Sequence, residues 1–326
     1  MAGKIAAIAL NTFKEAVRNR VLYVLLFFSV VIMLGAWVAS TLSIDDETKI
    51  VRDLGAGAIN FIALLIAVFV GIGLVYNDLD KKTIYTIISK PISRWHFLVG
   101  KYLGLLLTIA VNVLFMTWIF CAVLYLRGYL AGDVMYEALY FVDDEGYLNY
   151  RGVFAHLFYL VWSAVKALVF GLLHVVMFGM EGVLGIPGAA ATQGLFMTSV
   201  LTILEMAIIT AFAVLFSSFS SPTLSAFMTV IVFIIGRLNQ ELYLFADTMV
   251  QRAGGMEALG GGQVVAYYFS VVAAHLSPNL AVFNQRRELA EFQDIQLGVM
   301  DISYGIAYTA MILTIAAIVF NRRNFK

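Results

Sequence analysis

Apolar residues come in long runs along this chain, and polar residues gather between the runs. About 20 apolar residues carry a helix across the hydrocarbon core of a bilayer. Residues 21–42, 55–76, 97–126, 195–218 and 222–245 meet that length, and 302–320 is just long enough. The pattern predicts an all-α integral membrane protein with six transmembrane helices in one domain.

Two stretches follow a different rhythm. Residues 1–20, MAGKIAAIALNTFKEAVRNR, mix apolar and charged positions at helical spacing. They lack a compact apolar core followed by a small-residue cleavage site, so they do not read as a signal peptide. An amphipathic helix on the cytoplasmic surface is expected, anchored by Lys4, Lys14, Arg18 and Arg20. Residues 77–101, NDLDKKTIYTIISKPISRWHFLVGK, separate the second and third spans. Within them Ile84, Ile87 and Ile88 share one helical face, while Lys81, Lys82 and Tyr85 turn elsewhere. Pro91 stops that helix, and Ser93, Arg94 and Trp95 lead into the next span. A basic amphipathic segment between two spans can dock a soluble partner or lie on anionic headgroups. The residues alone leave both open.

Two further stretches complicate the count. Residues 154–180 are apolar enough to span, yet they carry His156, Lys166 and His174, with Glu181 directly after. A seventh crossing there would put Arg322 and Arg323 outside, so the stretch is read as non-spanning, within an outer insertion at 127–194. Residues 264–276 are apolar but too short to cross. They are expected as an interfacial or re-entrant helix inside an outer loop at 246–301. The glycine-rich 254–262 is its elbow.

Composition agrees with the runs. The chain of 326 residues is 62% hydrophobic and 13% charged, against about 25% charged in soluble domains. Net charge is zero, but the charges are segregated. Segments 1–20, 77–101 and 321–326 hold 12 Lys or Arg against three acids, Glu15, Asp78 and Asp80. The intervening loops are acidic or mixed, as in SIDDETK at 43–49 and FVDDEGYLNY at 141–150. Cationic flanks face the cytoplasm. Both termini are therefore expected inside, in a multi-pass protein of the cell inner membrane, which requires an even number of crossings.

Candidate chemistry is sparse. A phosphate-cradling loop needs GxxxxGK[ST], but Gly100-Lys101 is followed by Tyr102 and preceded by Trp95 where the first glycine belongs. Leu259-Gly260-Gly261-Gly262-Gln263 differs by one residue from the LSGGQ of ABC ATPases, yet no nucleotide-binding fold surrounds it. No metal-ligand cluster and no nucleophile–His–acid arrangement can be recognised, and no nucleic-acid partner is expected. The lone Cys121 excludes an intramolecular disulfide. The chain is expected to be no enzyme by itself and to hold no cofactor.

Glu205 is the conspicuous charge inside an apolar run, where an ionised carboxylate costs about 2.5–3.5 kcal/mol. Arg237 lies in the next run. Counted from the intervening turn at 219–220, Glu205 is about 14 residues before and Arg237 about 17 after, so their depths differ by about 5 Å. A structural ion pair is the expectation, with a role in substrate or proton passage as the alternative. Lys166 and His174 either line an outer vestibule or snorkel to headgroups.

Residues 78–104 resemble the cytoplasmic loop and following span of ABC-2-type export permeases. The resemblance rests on Asp78 and Asp80, Thr83, the apolar Ile84, Ile87 and Ile88, Ser89-Lys90-Pro91-Ile92-Ser93-Arg94 and Gly100-Lys101-Tyr102-Leu103-Gly104. Lys82 stands where a glycine usually precedes the threonine, and Asp where Glu is commoner. Phe13-Lys14-Glu15-Ala16-Val17-Arg18 is similar to the opening helix of the same family. His275-Leu276-Ser277-Pro278-Asn279 is similar to a Pro-Asn turn in its copper-enzyme-maturation and gliding branch. Residues 127–194 find no counterpart.

The resemblance implies a half-transporter. Two permease copies, identical or close paralogues, would pair above two separate ATPase subunits that hold ATP and Mg. Residues 77–96 would be the coupling helix, contacting the ATPase through Asp78, Asp80, Lys81, Lys82, Thr83, Ile84, Ile87, Ile88, Pro91 and Arg94. Two other classes stand beside it: an ion- or proton-coupled carrier using Glu205, and a membrane scaffold that recruits a cytoplasmic protein. Such carriers commonly show inverted repeats and matched broken spans, and neither is found in this sequence.

Overall fold

The computed structural model describes residues 2–40, 47–73, 94–131, 140–142, 148–150, 165, 189–285, 288–289 and 298–322. Helix α1 covers Ala2–Val17 and turns directly into α2, Arg20–Ser40. Asn19 caps α2, its side-chain oxygen accepting the Val21 N–H at 3.0 Å. Helix α3, Glu47–Leu65, continues as a π-helical segment over Ile66–Gly71. Helix α4, Arg94–Ala131, has 38 residues, about 57 Å of helix, so it outruns a hydrocarbon core.

The described part of the outer insertion departs from an all-helical fold. Strands β1, Tyr140–Val142, and β2, Leu148–Tyr150, pair antiparallel with Phe141 opposite Asn149. Both strands reach into FVDDEGYLNY, 141–150, which the sequence analysis counts among the acidic or mixed outer loops. Of residues 154–180 only 165 is described, so the expectations for His156, Lys166 and His174 lie outside the described residues.

Helix α5 runs over Ala189–Ser217 and α6 over Pro222–Arg237, with the proline at the first helical turn, where its missing N–H costs nothing. Helix α7, Asn239–Ala253, and α8, Gly261–Leu276, pack together as a hairpin, and α9 spans Val299–Arg322. Gly254 and Gly255 close α7 with φ of 80° and 135°, conformations that favour glycine. The near-match to an ATPase signature is the start of α8, whose Gly260 N–H is capped by the Gln263 side chain at 3.0 Å.

Among the described residues five helices are long and apolar enough to cross a membrane: α2, α3 with its π-segment, α4, α5 and α9. The sixth expected span needs correction. Residues 222–245 are not one straight helix: α6 ends at Arg237 and α7 departs at 57°, so among the described residues a sixth crossing exists only if the bent pair counts as one. The polar Arg237, Asn239, Gln240 and Glu241 mark the break within what a hydropathy count takes as continuous.

Helix α5 is the axis of the bundle, with Met206, Ile208, Ile209 and Ala211 fully buried against neighbouring helices. By contrast α2 turns Phe27, Phe28, Val31 and Val38 outward, as a lipid-facing span does. Stacking of Phe97 on Phe320 at 6.5 Å brings the start of α4 to the end of α9. Lys101 and Arg322 therefore lie toward the end of the bundle where α2 begins with Arg20, while Glu47, Arg52, Asp53 and Asp301 lie toward the other.

Candidate functional site

Buried hydroxyls in a helix bundle can satisfy themselves locally. Thr108, Thr198, Thr210 and Thr229 do so, each donating to the carbonyl four residues back at 2.7–2.9 Å. An ionised carboxylate only accepts, so Glu205 needs donors from elsewhere. It is fully buried on α5. Arg237 supplies two donors: Nε to Oε1 and a terminal nitrogen to Oε2, both at 3.0 Å. Asn60 of α3 adds a third, Nδ2 to Oε2 at 2.6 Å. The two charges predicted to meet from depth alone are thus brought together in a bidentate pair, the strongest geometry available to them.

Arg237 occupies a site made for a cation. It is the last residue of α6, where the helix dipole is negative, and its guanidinium lies 5.4 Å from the Phe233 ring centroid. Its side chain keeps 18% exposure while that of Glu205 keeps none.

The same corner is fixed on its far side. The Gly236 carbonyl accepts the Leu280 N–H at 3.0 Å. A Cβ at Gly236 would fall 2.8 Å from both Leu280 and the Pro278 carbonyl. Asn239 donates to the Ala274 carbonyl at 2.6 Å and to the Ser277 hydroxyl at 3.1 Å. The Tyr304 hydroxyl accepts the Asn279 N–H at 2.8 Å. Ser277-Pro278-Asn279, read in the sequence as a family-like turn, thereby secures the helix break between α6 and α7. With three donors on its two oxygens, Glu205 is arranged as a fixed strut joining α3, α5 and α6.

Sequence reasoning missed Asn60 and Tyr304. Asn60 carried a signal, an amide in the middle of an apolar run, whereas nothing local distinguishes Tyr304 from other interfacial tyrosines.

A second constellation joins the cytoplasm-assigned segments. One face of α1 packs on the first turns of α4. Gly100 and Gly104 permit the approach: a Cβ at 104 would stand 2.5 Å from the Ala9 carbonyl and 2.6 Å from Thr12, and one at 100 would stand 2.8 Å from Ile8. Thr12 and Ala16 are fully buried there. Lys101 donates to Glu15 at 3.3 Å, with the lysine side chain 5% exposed. Glu15 and Lys101, counted by sequence as separate surface charges, are one pair.

Asp78, Asp80, Lys81, Lys82, Thr83, Ile84, Ile87, Ile88 and Pro91 lie outside the described residues, and Arg94 is described only as the first residue of α4. Among the described residues no group of three His, Cys, Asp or Glu is placed to hold a metal.

These features define a multi-pass helical membrane protein in which Glu205, Arg237 and Asn60 form a buried network at mid-span. A scan of protein-family models finds no match to the chain, and a search of curated proteins finds none either.

Proposed function

We propose that this protein is the membrane-spanning permease subunit of an ATP-binding cassette transporter of ABC-2 type, an exporter driven by a separate ATPase subunit. The observation that carries the reading is the contact between the two stretches whose sequences resemble that family. The opening helix, through Ile8, Ala9, Thr12 and Glu15, is fitted against Gly100, Lys101 and Gly104, a few residues beyond the segment assigned to coupling. A push delivered at residues 77–96 would then reach α1 and α4 together. In this mechanism closure of the ATPases moves that pair as one body, and the bundle around α5 passes the movement across the membrane. The carrier alternative loses support because both oxygens of Glu205 are engaged by Arg237 and Asn60.

The chain is expected to copurify with an ABC ATPase and to hydrolyse no ATP alone. Reversing charge at Lys81 and Lys82, or introducing Ile87→Pro, should uncouple hydrolysis from transport in a protein that still inserts. Unchanged coupling in both variants would remove the docking assignment.

The orientation is tested separately. Cysteines replacing Asp46, Asp144 and Glu257 are expected to react with an impermeant thiol reagent added outside, while those replacing Lys82 and Asn324 stay protected. External labelling at 324 would demand an odd number of crossings.

A further inference from the structure

Nothing in the local sequence breaks the helix between α6 and α7. Residues 223–253 contain no proline, and Gly236 is their only glycine. A kink without proline needs another group to enter the i→i−4 ladder. The segment after α8 is that group. In an unbroken helix the Gly236 carbonyl serves the N–H of residue 240. Here it accepts the N–H of Leu280 at 3.0 Å, and Leu280 is fully buried against it. Asn239, just past the break, reaches across to the end of α8 through the Ala274 carbonyl and the Ser277 hydroxyl. Tertiary contacts therefore impose the 57° bend.

The same segment is tied to α9. Tyr304 accepts the Asn279 N–H at 2.8 Å, and its ring stacks on Phe283 at 6.1 Å. A Cβ at Gly305 would already touch the Phe283 ring at 3.4 Å. From Tyr304 a ladder of rings runs back along the seam between α5 and α9. Tyr308 follows at 5.7 Å and Phe212 at a further 6.2 Å. Phe216 comes next at 5.8 Å and Phe219 last at 6.0 Å. Ring pairs at such separations attract beyond their burial. Phe219 lies in the turn from α5 to α6, where Ser220 donates to the Phe216 carbonyl at 2.8 Å and stands 2.6 Å from the Ser225 hydroxyl. Helices α5, α6 and α9 are thus closed on one another at both ends, and the Glu205–Arg237 pair braces them beside the elbow.

We infer that α5, α6, α9 and the α7–α8 hairpin form one rigid frame, latched at the elbow by Asn239 and Tyr304, and that this latch holds Arg237 on Glu205. Arg237 is the residue immediately before the break. Its backbone is fixed by Gly236 on one side and by Asn239 on the other. The hairpin is a fixed arm of the frame, so a force applied to it reaches the charge pair with no flexible joint between. The frame does not depend on the permease reading. Under that reading it is the body that receives the movement of α1 and α4.

The test uses the full chain in lipid nanodiscs, with Leu224→Cys and Arg252→Cys spin-labelled in a Cys121→Ala background. Both sites lie about 14 residues of helix from Leu238. With the 57° bend their Cα atoms stand about 37 Å apart, against about 42 Å in a straight helix. Pulsed electron paramagnetic resonance should give one narrow distribution near the shorter distance. Asn239→Ala/Tyr304→Phe should broaden it and carry it toward the longer one. Tyr308→Phe, which takes a hydroxyl from the same ladder, should leave it unchanged. A broad distribution before the latch is cut, or a double variant as narrow as its parent, overturns the frame. Thermal melting then tests the link to the pair. The latch substitutions should lower the melting temperature less than half as much in Glu205→Gln/Arg237→Gln as in wild type, because coupled sites do not add. An equal loss in both backgrounds overturns the positioning of Arg237 by the latch. Should the double variant fail to fold, Tyr304→Phe alone, which keeps the ring, carries both comparisons.

Discussion

Replacing Arg237 with Gln should lower stability in detergent by about 3–5 kcal/mol, the usual consequence of stranding one member of a buried pair. Glu205→Gln should cost less. The asymmetry follows from what each survivor keeps. Without Arg237, the carboxylate of Glu205 remains fully buried with Asn60 as its remaining described donor. Without the carboxylate, Arg237 retains 18% exposure, the carbonyl end of α6 and the Phe233 face. The double variant should recover much of the larger loss, because two neutral amides at the same positions leave no charge uncompensated. Thermal unfolding of the four proteins measures this directly. Additive losses would mean that the pair does not exist in the folded protein. A Glu205→Gln protein of full stability that no longer transports would make the carboxylate functional rather than structural.

Gly104→Ala is the second large effect. The added methyl would sit 2.5 Å from a backbone oxygen, and a backbone cannot step aside as a side-chain tip can. The helices α1 and α4 must separate, at about 1–3 kcal/mol for overpacking, partly offset by about 1 kcal/mol of better helix propensity. Gly100→Ala meets Ile8 at 2.8 Å and should cost less. Trypsin provides a second readout, since a loosened α1 exposes the chain after Lys14 and Arg18. Unchanged melting and unchanged cleavage in Gly104→Ala would show that α1 does not depend on this contact.

How much of this was legible in the sequence depended on whether a feature lies along the chain or between elements. Helices α2 and α9 begin and end within three residues of the runs that announced them, because hydrophobic length is a local property. Glu205 and Arg237 could be matched because a tight turn lies between their helices, which lets depth be counted on both sides of it. Asn60 could not, since no count links α3 to α5. The α6–α7 break was overlooked for a subtler reason. A helix interrupted at Leu238 keeps its apolar average, and the interruption lies in hydrogen bonds to Ala274, Ser277 and Leu280, made some 35–45 residues later in the chain. The π-segment left no trace either, since Ile66-Ala67-Val68-Phe69-Val70-Gly71 is apolar at every position and has no periodicity to disturb. In the sequence the glycines of α4 stand only as part of a family-like pattern, and their distances to α1 give them a purpose.

The partnership of α1 with α4 also sets an order of events during synthesis. Glu15 leaves the ribosome 86 residues before Lys101. At about 5–20 residues per second, the first helix waits about 4–17 s for the groove that will receive it. Through that interval Ile5, Ile8 and Ala16 have no protein surface to cover them. The bilayer face is the nearest refuge, and Lys4, Lys14 and Arg18 suit the helix to it. The amphipathic pattern at the head of the chain thus fits two successive addresses: first the lipid surface where the nascent helix rests, then the glycine-floored groove where it is stored.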